Sequence, residues 1–178
     1  MPWKMAPRIL AAAVSQATIE TAFGRAISPL VEGATDAMPN AGEAKAPWHQ
    51  RKGAYLHKLC HENVSSLLVS ASDKLHNART ILTEVLTAPQ GERAAFFGRF
   101  GQGRDGTLQY YRLLADTYPV VPGGQPSARL RVLFAELERT VAALEAACGV
   151  TSEETRHFAP LREETTRLAV HRPNVVQP

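Results

Sequence analysis

This sequence predicts an all-α domain, and three observations predict it. Apolar residues recur at three- and four-residue intervals, while the period-two alternation of half-buried strands is missing. Ala, Leu, Glu and Arg dominate the patterned stretches, and all are good helix formers. Clusters of Gly, Pro and Asn separate those stretches where helices would have to stop. Five or six helices follow from this reading, and no internal repeat is present.

Residues 1–16 are expected to be an irregular N-terminus. From Ala17 to Val31, Thr18 can cap a helix whose Ile19, Phe23, Ile27 and Leu30 share a face. Gly33, Pro39, Asn40, Gly42 and Pro47 then mark a long loop. A second helix is expected from Gln50 to Cys60. Asn63 is a suitable N-cap for a third and longer one, from Val64 to about Leu86. Its apolar stripe is Val64, Leu67, Leu68, Ala71, Leu75, Ala78, Leu82 and Val85. The segment "APQGE" (88–92) ends it, "FFGRFGQGRDG" (96–106) reads as a loop, and "TLQYYRLLADTY" (107–118) as a fourth helix. After "PVVPGGQP", Ser127 caps the clearest amphipathic helix, with Leu130, Leu133, Phe134, Leu137, Val141 and Leu144 on one side. Beyond Gly149 the pattern decays. Residues 150–178 are expected to form a polar, partly disordered tail holding a short helix over 152–169.

The bulk numbers narrow the function classes. The chain has 178 residues, enough for one self-supporting domain, and its 44% hydrophobic and 21% charged content is that of a globular protein. A net charge of +3 with scattered Lys and Arg lacks the concentrated basic stripe that nucleic acid requires. Cys60 and Cys148 match no ligand spacing and are expected as reduced thiols in a cytoplasmic protein. The apolar run "ILAAAV" near the start is too short for an export signal, and nothing approaches the roughly 20 apolar residues of a membrane helix.

One stretch stands apart. In "SDKLHNART" (72–80), Asp73, Asn77 and Thr80, with Glu84 beyond, recur at helical spacing on one side, and His76 adjoins Asp73. Such a polar seam usually faces water. Asn is nevertheless a poor mid-helix residue without a partner, and the seam lacks the long side chains that normally cover a wet face.

The sequence "LLVSASDKLHNARTIL" resembles the closing metal-ligand helix of the HD-domain phosphohydrolases, and most of all their guanosine tetraphosphate (ppGpp) hydrolase branch. "TIETAFGRAISPLVEGATDA", "KAPWHQRKGAYLHKL", "FFGRFGQGRDGTLQYYRLLADTY" and "LFAELERTVAAL" fall in that family's order, so the likeness spans roughly residues 17–147. The resemblance implies an HD-domain-like helical bundle, partial over 17–149 and lacking its N-terminal helices. It implies that Asp73 is a ligand of a metal, usually manganese (Mn2+), and that Asn77 and Thr80 reach a guanosine polyphosphate or other nucleotide. Arg51 and Lys52 correspond to a basic pair near the substrate, and His76 to a structural residue.

The same resemblance exposes a gap. The family supplies an upstream His and an adjacent His-Asp pair, followed by acids that help activate the metal-bound water for hydrolysis of the 3'-pyrophosphate ester. No His-Asp dipeptide occurs here, and the six histidines, His49, His57, His61, His76, His157 and His171, all lie downstream of "TIETAFG". Three of the four implied metal ligands are therefore absent, and losing most of them should abolish tight metal binding. His57 and His61 are four apart on one helix, but nothing sets them opposite Asp73, and a polar surface pair is the expectation. "GQGRDG" (101–106) matches the dinucleotide-binding glycine pattern without the strand that motif needs, so it is set aside. Two readings follow: a phosphohydrolase-like protein that is inactive or truncated as written, or a non-catalytic helical module that binds a nucleotide or a protein. A bundle lacking its first helices should also leave apolar surface exposed on the Val64–Leu86 helix, which invites association.

Overall fold

The structure, a computed structural model, describes residues 20–22, 24, 25, 27, 30, 46–122 and 127–164. Among these every regular element is helical, as expected. The α-helices are α1 (Trp48–Leu59), α2 (Val64–Thr87), α3 (Arg93–Phe97), α4 (Gly103–Thr117), α5 (Ala128–Ala147) and α6 (Ser152–Arg156). Single 3-10 turns occur at Gln90–Glu92, Tyr118–Val120 and Ala159–Leu161. No helix among the described residues is long and apolar enough to cross a membrane.

The helix ends obey local chemistry. Asn63 accepts a hydrogen bond from the Ser66 amide at 3.0 Å, and Ser127 accepts one from the Leu130 amide at 3.3 Å, so both expected caps form. Thr151 and Glu154 form a reciprocal capping box at the start of α6. At the end of α5 the Gly149 and Val150 amides bond back to the carbonyls of Ala146 and Glu145, which closes the helix.

The helix at the centre is α4. Every residue from Gly106 to Ala115 is buried, including Thr107, Gln109 and Arg112. Enclosing a helix on all sides requires that most of its polar groups find partners inside. Thr107 and Thr117 donate back to the Gly103 and Leu113 carbonyls at 2.7 and 2.6 Å, and Gln109 and Arg112 reach neighbouring elements. Around α4 stand α1, α5, α6 and the Ala159–Leu161 turn, while α2 and α5 make the most extensive helix pairing. Leu56, Leu67, Leu108, Leu114, Leu137 and Leu144 are fully out of water where these helices meet. Tyr118 stacks on Phe134 with centroids 5.1 Å apart, tying the turn after α4 to α5.

Several expectations are corrected. The continuous helix expected over 17–31 is broken at Gly24, whose φ of +84° leaves the helical region; most of that stretch, and residues 1–16, lie outside the described residues. The segment 96–106 is not a loop throughout. Phe96 and Phe97 close α3, Phe100 packs on both rings at 5.5 and 6.2 Å, and α4 starts at Gly103. The glycines of "GQGRDG" thus enter a helix, and a Cβ on Gly106 would press on the Gln102 side chain and sit 3.5 Å from Trp48. The buried arc of α2 is rotated from the expected stripe. Ser66, Ser70, Lys74 and Ile81 are buried with Leu67, Ala71, Leu75, Ala78 and Val85, whereas Val64 and Leu68 are exposed. The helix expected over 152–169 is α6, then the Ala159–Leu161 turn, then helical residues at 162–164; residues 165–178 lie outside the described set.

The rotation of α2 has a physical cause. Tyr55 of α1 and Tyr118 present phenol hydroxyls to that side of α2, and Ser70 is hydrogen-bonded to both, at 2.5 Å to Tyr118. Ser70 is therefore drawn inward, and Val64, Leu68 and Val69 remain about 40% exposed on the other side.

Candidate functional site

The polar seam of α2 exists, with a different internal wiring from the one expected. Asp73, Asn77 and Thr80 are exposed on one side of the helix. Asn77 Nδ2 donates to Asp73 Oδ1 at 3.1 Å, one helical turn away, so the mid-helix asparagine does have a partner. The other oxygen, Asp73 Oδ2, lies 2.7 Å from Lys74 Nζ. Thr80 does not join them: its hydroxyl donates to the His76 carbonyl at 3.0 Å, the usual local bond of a helical threonine. Glu84 is 3.9 Å from Arg99, further along the helix.

Lys74 is the residue that sequence reasoning missed. Its side chain is only 11% exposed, while that of Asp73 is 47% exposed. The Lys74 ammonium lies over the Tyr55 ring, 5.1 Å from the centroid, so it has a π-face on one side and the Asp73 carboxylate on the other. The available signal was its position. Lys74 follows Leu67 and Ala71 and precedes Ala78 at core spacing, with an acid adjacent, as a buried and paired lysine would.

On the α1 side, Lys52 Nζ sits over the Tyr110 ring at 4.4 Å. Trp48 meets the same ring edge-on at 6.2 Å, and Tyr110 meets Tyr111 at 5.8 Å. Arg51 is turned to the start of its own helix, where Nε donates to the Ala46 carbonyl at 3.1 Å. Tyr111 faces the α2 seam electrostatically. Burial first, and the Asp73 charge second, hold its hydroxyl well above the ordinary phenol range. Burial likewise raises Tyr118, with Tyr55 and Asp73 adding to the effect and the Ser70 hydrogen bond opposing it. Two clusters are thus present, Lys52 with Trp48, Tyr110 and Tyr111 on one side and Asp73 with Lys74 and Asn77 on the other, and the Asp73 charge is felt at Tyr111. Arg51 and Thr80 stand outside both.

Does this cluster fit a divalent metal? A hard ion such as manganese needs several oxygen or imidazole ligands in near-octahedral array. Among the described residues no group of three His, Cys, Asp or Glu side chains is placed to hold an ion. The Asp73 carboxylate already has an ammonium at 2.7 Å, which supplies the countercharge and repels a second cation. The described residues around Asp73 do not fit the metal. His57 is not available to help, because its ring faces Glu164 at 3.0 Å.

Asn77 and Asp73 offer a fixed amide–carboxylate edge, and Lys52 offers a cation beside an aromatic wall. No protein-family model matches the chain, and no curated protein matches it either.

Proposed function

We propose that this chain is an HD-type helical module of the guanosine-polyphosphate hydrolase line that binds a nucleotide and does not hydrolyse it. The observation that carries this reading is the wiring of Asp73. Its carboxylate is bridged by Lys74 and Asn77, where a hydrolase would need it free to coordinate a metal beside further ligands. Lys52 supplies positive charge for phosphate groups, and the Asp73–Asn77 edge supplies hydrogen bonds for a sugar or base. Manganese contributes nothing in this proposal.

Calorimetric titration of the purified chain with ppGpp, with and without Mn2+, tests it, together with a chromatographic assay for released pyrophosphate. The expected result is saturable binding that Mn2+ does not strengthen, weakened about tenfold or more by Lys52→Ala, with no pyrophosphate formed. Manganese-dependent turnover would overturn the non-catalytic reading.

The exposed Val64, Leu68 and Val69 face of α2 favours a second reading, a protein-interaction module. Absence of any nucleotide binding, together with self-association or partner capture abolished by Leu68→Glu, would support that reading instead.

A further inference from the structure

The chain after α5 doubles back over the bundle. Arg156 of α6 grips Asp116 of α4 with two bonds, at 2.7 and 3.0 Å. Gln109 of α4 then takes hold of the backbone that follows. Its amide donates to the Arg156 and Phe158 carbonyls at 3.1 and 2.6 Å, and its carbonyl accepts from the Leu161 amide at 2.7 Å. Leu161 itself is buried.

The last step of this path leaves α4 and reaches α1. Glu164 is 9% exposed, and its Oε2 lies 3.0 Å from His57 Nε2. A carboxylate only accepts, so the ring N–H donates. The space for this carboxyl group is made by Gly53, one turn before His57. A Cβ on Gly53 would lie 2.5 Å from both Cδ and Oε1 of Glu164. Glycine is the least favourable ordinary residue in a helix interior, so its presence mid-helix calls for a reason of this kind. The principal contacts of α1 are with α4 and the Ala159–Leu161 turn.

We propose that residues 152–164 are a strap that locks α1 onto the bundle, with Glu164 seated in a catch formed by Gly53 and His57. Gln109 and Arg156 anchor the strap to α4, and Glu164 carries the grip across to the His57 side chain of α1. Lifting Glu164 frees α1 as a local unit and leaves the α2–α5 pair intact. Because α1 bears Arg51 and Lys52, Gly53, His57 and Glu164 act as positioning residues for that side of the candidate site. The lock itself does not depend on which ligand binds there.

The test uses the full chain carrying Trp3→Phe, which leaves Trp48 of α1 as the sole indole. Hydrogen exchange by mass spectrometry and Trp48 emission are compared for Gly53→Ala, Glu164→Ala and the double variant. Gly53→Ala expels the carboxyl group, and exchange over 48–59 and 157–164 should rise about tenfold or more, the scale of one charge-assisted hydrogen bond, with Trp48 shifted to the red. Exchange over 128–147 should not change. In the double variant no carboxyl group remains to clash, so exchange should fall back to the level of Glu164→Ala alone. The proposal is overturned if Gly53→Ala exchanges like the native chain, if α5 loosens equally, or if the double variant is no better than Gly53→Ala. Glu164→Ala introduces no clash and serves alone if Gly53→Ala does not fold. Faster exchange by roughly threefold or more over 48–59 is then expected, and unchanged exchange refutes the lock.

Discussion

Replacing Arg112 with methionine removes a cation held fully out of water where α4, α5 and α6 meet. Arg112 is 1% exposed. Its Nε donates to Glu145 at 3.0 Å, its Nη1 donates to the two Glu138 oxygens at 2.9 and 3.0 Å, and Asp116 lies 3.5 Å away. The three carboxylates do not suffer equally when it leaves. Asp116 retains both bonds from Arg156, and Glu138, with 46% of its side chain exposed, rehydrates. Glu145 has 2% of its side chain exposed and keeps only the Ser152 hydroxyl at 2.7 Å. The loss therefore concentrates on one stranded charge, which places Arg112→Met at about 3–5 kcal/mol. For a chain of this size that is a fall in Tm of roughly 6–20 °C. Urea unfolding followed by circular dichroism measures it. The paired variant Arg112→Met, Glu145→Leu removes the stranded charge and should return to within about 1–2 kcal/mol of the native protein. Glu138→Gln alone should cost less than about 1 kcal/mol. A single variant as stable as the native chain, or a paired variant no better than the single, would refute the reasoning.

Three further outcomes are expected. Tyr118→Phe leaves Ser70 still bonded to Tyr55, and Ser70→Ala leaves the two phenols bonded to each other, so each should cost about 1–2 kcal/mol; a urea melt of either variant identical to that of the native chain contradicts the triad. Glu153 is held below the usual carboxyl range chiefly by hydrogen bonds from His157 and Arg156, and Glu154 chiefly by the Thr151 amide and then its hydroxyl. Since folding lowers both values, their stabilisation is full above about pH 4.5 and is lost as pH falls through the folded values; Tm measured from about pH 6 to about pH 3 should drop less steeply in Glu154→Gln than in the native chain. Leu68→Glu and Val69→Glu should each cost under about 1 kcal/mol, because both side chains are near 40% exposed, and should reduce binding of a hydrophobic dye; a large loss of Tm would mean that this face is covered.

Much of the helical architecture was legible because it rests on local signals. Asn63 and Ser127 announce helix starts through their own side chains, and the α5 stripe from Leu130 to Leu144 is buried as its spacing demands, except for the half-buried Leu133. What stayed hidden depends on partners distant in sequence. Ser70 faces inward only because Tyr55 and Tyr118 converge on it from 15 and 48 residues away. Gly103 and Gly106 read as loop residues because a glycine-bearing helix start and a turn share the same composition. Within the candidate site, the alignment of Asp73 with Asn77 was legible from helical spacing. The capture of Asp73 by Lys74 was not, since neighbouring residues on a helix do not ordinarily face each other and Lys74 is bent back by the Tyr55 ring.

The enclosure of α4 bears on how the chain can fold during its synthesis. Gln109 and Asp116 find their partners 40 to 52 residues later in the chain, at Arg156, Phe158 and Leu161. Until that region has left the ribosome, the innermost helix has no dry place for its amide and carboxylate groups. The nascent chain can therefore assemble α1 and α2 only loosely, and its cooperative collapse awaits residues 156–161. A stalled or prematurely ended product would present its interior to chaperones and proteases, not a smaller native domain.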